Sequence, residues 1–210
     1  MSFDHGRYVE KIRPYYDAQD PGHDWAHIQR VVKTATELAL AEGARLEVVV
    51  PAAYLHDIVN VPKDHPERAR ASTLAADKAL KILSDAEYPQ EYFAAIHSAI
   101  EEHSFSRGLT PTTIEGACVQ DADRLDAIGA IGVLRCCAVS LSFNSQFYDV
   151  SDPWAQRRSH DDKRFMIDHY ETKLLKLAAT LQTSAAKAEG ERRTHFMRAF
   201  LDQLRSEISS

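Results

Sequence analysis

Apolar residues recur at intervals of three and four through nearly every long segment of this chain, a spacing that gathers them on one face of a helix. The strict alternation of a half-buried strand is missing. Between Trp25 and Glu42, for instance, Ile28, Val31, Val32, Ala35, Leu38 and Ala39 share a face, and Gly43 follows as a stop. The same spacing predicts helices over about 9–16, 47–60, 68–83, 89–102, 114–121, 161–181 and 187–207, with Pro51 tolerated in a first turn. Small residues from Leu125 to Leu134 suit close helix contact, and 144–153 reads as a loop. Glycine and proline number eight each in 210 residues, too few for a chain built of short strands and turns. The expectation is an all-α helical bundle in one domain over 1–210, closed by a C-terminal helical extension; domains commonly run to ~100–200 residues.

Charge and cysteine usage narrow the function classes. A formal net charge of -6 disfavours a non-specific grip on nucleic acid or on a membrane surface. A phosphate-handling cleft remains open if positive charge is concentrated locally. Cys118, Cys136 and Cys137 form no CxxC pair and no framework, as expected in a reducing compartment. No signal peptide and no apolar run of the ~18–20 residues a spanning helix needs are visible. A cytoplasmic protein is expected; whether it forms a homodimer is left open.

The chemistry gathers around His56-Asp57, near the end of an apolar helical run. Adjacent helical residues point about 100° apart, so the two side chains meet at one ion only where it lies off the helix end. His27, beside the apolar stripe of the earlier helix, and Asp121, in Gln120-Asp121-Ala122-Asp123-Arg124, complete a set of two imidazoles and two carboxylates suited to one divalent cation. Three helices facing one pocket would build such a site. The plainer alternative makes His56 a satisfied core histidine, with Asp57 and Asp121 capping helices or pairing with arginines.

In this arrangement the chain resembles the HD-domain superfamily of metal-dependent phosphohydrolases, whose pattern is His, then His-Asp, then Asp. The likeness looks closest to its YedJ/YpgQ branch. It runs through His23-Asp24-Trp25-x-His27-x-x-Arg30-Val31, His56-Asp57-Ile58-Val59-Asn60-x-Pro62-Lys63-x-His65-Pro66-x-Arg68 and His103-Ser104-Phe105-Ser106, then Gln120 to Gly129, Asp161-Asp162-Lys163-Arg164 and Lys173 to Leu177. The resemblance implies an all-α HD fold with one divalent ion on His27, His56, Asp57 and Asp121. It also implies a nucleotide pyrophosphatase that splits (deoxy)nucleoside triphosphates to monophosphate and pyrophosphate, with Mn²⁺ favoured and Mg²⁺, Co²⁺, Fe²⁺, Ni²⁺ or Zn²⁺ as further candidates. Relatives that hydrolyse alarmones carry a Glu-Asp pair soon after His-Asp, where this chain has Ile58-Val59-Asn60-Val61. A branch with a second metal adds histidines, and His65, His97 and His103 do not match its spacing.

Four ligands on a six-coordinate ion leave two positions, so hydrolysis by metal-activated water is the economical expectation. No nucleophile elbow or Walker glycine loop competes with it. Lys63 and Arg68, close behind His56-Asp57, are candidate phosphate contacts, or else solvated loop charges. His23, Asp24 and Arg124 are further candidates for substrate binding, although Asp24 suits a helix N-cap equally and Arg124, with Asp126, suits a supporting role. His103 is a candidate for proton transfer to the leaving group, with Asp57 counted among the catalytic groups as well as the ligands. Asp161, Lys163, Arg164 and Lys173 read as an ordinary solvated helix face, and Trp25, Tyr54, Phe105 and Phe143 as packing residues that could stack a base. The alternatives to a pyrophosphohydrolase are another HD phosphohydrolase, such as a 5'-nucleotidase or phosphodiesterase, and a nucleotide-binding regulatory module without chemistry.

Overall fold

The computed structural model describes residues 4–17, 23–59, 61, 67 and 70–208. Among them are nine α-helices and no β-strand, in keeping with an all-α fold. In chain order the helices are α1 (Gly6–Asp17), α2 (Trp25–Glu42), α3 (Leu46–Leu55), α4 (Ala71–Asp85), α5 (Phe93–Glu102), α6 (Ile114–Asp126), α7 (Gly129–Ser142), α8 (Met166–Thr172) and α9 (Ser184–Ile208). No single described helix is long and apolar enough to cross a membrane. The chain divides into two compact units, Met1–Asp123 with Gln182–Ala186, and Arg124–Leu181 with Lys187–Ser210.

In the first unit α3 packs on both α2 and α5, and α4 runs against α5. α3 is apolar almost all round, with Val48, Val49, Ala52, Ala53 and Leu55 buried, as its central place demands. α2 begins where the Asp24 side chain accepts the His27 amide at 2.8 Å, and ends at Gly43, whose φ of 70° is the left-handed conformation that lets its N–H return to Ala39 O. Pro51 lies beyond the first turn of α3 and has no N–H for the carbonyl of Glu47, four residues earlier. The Tyr88 hydroxyl donates to that carbonyl at 2.6 Å and fills the gap. α3 stops at Leu55, short of the expected residue 60, and leaves His56 and Asp57 in the turn beyond the helix.

α6 runs unbroken past Asp121 to Asp126. In the second unit Gly129 lies against the Arg193 side chain of α9, where a Cβ would stand 3.0 Å away, and a Cβ on Gly132 would strike the carbonyl of Ala127 in the turn before α7. The long helix expected over 161–181 does not form. Asp161 accepts the Lys163 and Arg164 amides, Asp162 takes the Thr172 hydroxyl and the His169 ring, and α8 lasts seven residues. Lys173 then leaves helical geometry at φ -135°, ψ -60°, and a 3₁₀ helix carries the chain over Leu174–Thr180. Short polar side chains that bond nearby backbone compete with helix in this way. Arg158 grips both oxygens of buried Asp168 at 2.5 and 2.9 Å, anchoring the segment before α8.

Candidate metal centre

Two histidines are set by the same local device. His56 directly follows α3 and its Nδ1 donates to Ala53 O at 2.8 Å; His103 directly follows α5 and its Nδ1 donates to Ile100 O at 2.5 Å. Each ring satisfies a carbonyl that the helix end leaves open. A carbonyl only accepts, so each Nδ1 carries a proton and each ring turns its Nε2 outward. His56 is fully buried, and its Nε2 has no hydrogen-bond partner. A buried polar atom in that state costs free energy unless another species meets it.

What faces that nitrogen is a ring of donors. His56 Nε2 stands 3.5 Å from Asp57 Oδ2 and 3.9 Å from Asp123 Oδ1, while buried His27 Nε2 stands 4.0 and 3.6 Å from the same two oxygens. These separations are too long for hydrogen bonds. They match two donors sharing one ion, which at about 2.0–2.2 Å from the metal stand roughly 3–4 Å apart. The other Asp57 oxygen, Oδ1, lies 3.6 Å from His103 Nε2, and the His103 ring meets His56 edge-on at 4.9 Å. The cluster therefore draws on the first turn of α2, the turns after α3 and α5, and the last turn of α6.

Its protonation suits a cation. Burial, the largest influence on His56, holds its pKa below the ordinary value and keeps the ring neutral. Burial pushes Asp57 and Asp123 upward, but the surrounding histidines outweigh it, and both carboxyls fall below the usual range, Asp57 well below. Burial likewise opposes a charged His103, yet Asp57 and Asp123 prevail and raise its pKa. Two imidazole nitrogens and two carboxylate oxygens fit a divalent ion of hard or borderline character.

One expected ligand, Asp121, faces away from the cluster. Asp121 is fully buried, but its oxygens accept the Gln182 and Thr183 amides and the Thr183 hydroxyl at 2.8–3.1 Å. Residues two apart on a helix point about 200° apart, so only one of the two α6 aspartates can face the histidines, and that one is Asp123. Asp24 spends its carboxylate on the N-cap of α2 rather than on substrate. Buried Arg124 gives its Nη1 to Thr180 O at 2.6 Å. His23 lies beside the cluster, its ring 6.1 Å from that of His27 and its charge lowering the Asp57 pKa. His97 pairs with Asp77 at 3.2 Å, away from the donors. Trp25 stacks on Tyr54 at 6.1 Å, and Asp126 holds Arg135 at 2.9 Å. Lys63, Arg68 and His65 lie outside the described residues.

Helical unit, imidazole and carboxylate donors and buried orphan nitrogen together define an all-α protein with a candidate metal centre. The HD-domain pattern matches residues 24–128, from the cap of α2 to just past α6, and the chain belongs to that family. Protein YpgQ of Bacillus subtilis (strain 168) is 31% identical over 208 residues, 95% of this chain and 93% of the relative. A crystal structure from Lactobacillus plantarum matches with a TM-score of 0.75 at 32% identity, covering 98% of both chains. YpgQ in complex with ADP matches at 0.75 and 29% identity, over 96% of this chain and 98% of that one. An HD-superfamily hydrolase from Bacillus thuringiensis matches at 0.74 and 29%, over 98% and 97%.

Proposed function

We propose that this chain hydrolyses (deoxy)nucleoside triphosphates to monophosphate and pyrophosphate, using one divalent ion, preferably Mn²⁺, held by His27, His56, Asp57 and Asp123. One observation carries the reading: the Nε2 atoms of His27 and His56 each stand 3.5–4.0 Å from a carboxylate oxygen of Asp57 and of Asp123, and no hydrogen bond satisfies the fully buried His56 Nε2. When bound there, such an ion supplies a Lewis acid that draws charge from a phosphoryl oxygen and acidifies water. Asp24 fixes the first turn of α2 and so the height of His27. The Ala53 carbonyl holds His56 in the tautomer with a bare Nε2, and the Ile100 carbonyl orients the His103 ring with its Nε2 towards Asp57. His103, 3.6 Å from Asp57 Oδ1, is placed to carry the proton that the departing oxygen takes up. Lys63 and Arg68, close behind the ligands in sequence, are proposed to hold substrate phosphates.

A nucleotide is favoured because YpgQ, 29% identical, was crystallised with ADP. The test is hydrolysis of a nucleoside triphosphate panel by metal-stripped protein with Mn²⁺, Mg²⁺, Co²⁺ or Zn²⁺ restored, resolving the products and using Asp57→Ala as control. Pyrophosphate and monophosphate from the wild type alone support the proposal. Orthophosphate released from monophosphates instead identifies a nucleotidase, and binding without turnover of any nucleotide rejects the enzymatic reading.

A further inference from the structure

The second unit holds a cavity of about 200 Å³ lined by Trp154, His160, Ile167, Asp168, Glu171 and Arg205. We propose that it binds a small molecule carrying an oxyanionic group together with a hydroxyl or amine. The Trp154 indole Nε1 is buried and has no hydrogen-bond partner, a donor left unsatisfied in a residue that lines an open space. Arg205 lays its guanidinium 4.2 Å over the Trp154 ring, and among the described residues it pairs with no carboxylate. A guanidinium over an aromatic face keeps N–H donors for a planar or tetrahedral oxyanion, the geometry it recognises best.

The acids on the walls have different standing. Asp168 is neutralised by Arg158, which takes both its oxygens, and it accepts the Asp161 amide at 2.6 Å as well. Glu171 is exposed and makes no hydrogen bond among the described residues, so it repels a bare anion and welcomes a donor carried on the same molecule. Ile167 supplies an apolar wall. The loop that presents Trp154 is fixed beforehand: Asp152 accepts the Gln156 and Arg157 amides at 2.9 and 2.8 Å, and Asp149 accepts the Ser151 amide at 2.8 Å. Between these ties Ala155 is held at φ 50°, a conformation a non-glycine residue adopts only when its surroundings enforce it. A rigid loop with an unsatisfied donor lowers the ordering cost of binding.

The test follows the indole N–H signals of Trp25 and Trp154 by NMR in ¹⁵N-labelled, metal-free protein, assigned with Trp154→Phe. Glycerol phosphate, inorganic phosphate and glycerol serve as probes. Glycerol phosphate should move the Trp154 signal saturably, inorganic phosphate should do so more weakly, and glycerol should not. Arg205→Gln should weaken both oxyanions by roughly tenfold or more. Glu171→Gln should strengthen inorganic phosphate and narrow the advantage of glycerol phosphate. No saturable movement of the Trp154 signal, equal binding of the two oxyanions by the wild type, or undiminished affinity in Arg205→Gln each overturns the proposal. No turnover is measured, so the result is independent of nucleotide hydrolysis.

Discussion

Exchanging the two α6 aspartates for asparagine, one at a time, separates a structural carboxylate from a proposed ligand. Asp121 is fully buried and accepts two amides and a hydroxyl at 2.8–3.1 Å. Asparagine keeps one of the two oxygens and turns an NH₂ towards donors that stay buried. Loss of a charge-assisted acceptor with at least one donor stranded costs about 2–4 kcal/mol. For a chain of this size 1 kcal/mol is about 2–4 °C, so Asp121→Asn should melt about 5–15 °C lower. Asp123 makes no hydrogen bond among the described residues, its side chain is 24% exposed, and it bears the like charge of Asp57. Asp123→Asn should therefore shift metal-free stability by less than about 1 kcal/mol, the surface range. Its Mn²⁺ affinity should fall by more than the roughly 10–100-fold that follows loss of an outer-sphere partner. Melting in chelator, followed by calorimetric Mn²⁺ titration where every variant is folded, measures both. An Asp121→Asn protein that melts like wild type but no longer binds Mn²⁺, or an Asp123→Asn protein that binds it normally, would refute the assignment.

Four further outcomes are expected. Saturating Mn²⁺ at about a hundred times its Kd should stabilise the wild type by about 2.7 kcal/mol and raise its melting temperature, and chelator should reverse the rise; a His56→Ala protein that gains as much would count against the centre. Gly132→Ala forces a Cβ onto the Ala127 carbonyl and should cost about 1–3 kcal/mol in denaturant unfolding; an unchanged midpoint would mean the α7 start yields freely. Tyr88→Phe strips the hydroxyl from the Glu47 carbonyl and should cost about 1–2 kcal/mol, whereas a neutral result would mean water replaces it. Glu189, bonded by Arg192 and Arg193, has its carboxyl held down at about 2, so its contribution is complete above the ordinary value of 4.5 and disappears as pH falls towards 2. Acid unfolding of Glu189→Gln should consequently be shallower in that window, and parallel curves would contradict the ion pairing.

The helices of the first unit were legible because burial on one face imposes a period, and the caps Asp24 and Gly43 are written in residue type. His27, His56, Asp57 and His103 stood out because chemically capable residues recur next to helix ends, and the structure places all four together. The sequence pattern pointed to Asp121, whereas the side chain that faces the histidines is Asp123, two residues further along. Helical phase says that only one of the two can face the histidines; which one depends on Gln182 and Thr183, some sixty positions downstream. The failed helix over 161–181 has a different cause. Its apolar spacing is helical, but Asp161, Asp162 and Thr172 bond locally, and propensity does not register bonds that a tertiary arrangement makes available.

The tie between Asp121 and the start of α9 bears on the order in which the chain is made. α6 belongs to the first unit as far as Asp123, and that unit also includes Gln182–Ala186, where the Ala185 amide reaches Glu42 at 2.8 Å. A chain stopped at Ile128, where the family match ends, would expose the Asp121 carboxylate and lose the segment that orients α6. On the ribosome the first 128 residues must therefore wait for more than fifty others before the centre can set, at about 5–20 residues per second a delay of several seconds. During that interval the histidines are already synthesised while the helix that brings Asp123 to them is not yet pinned by Asp121.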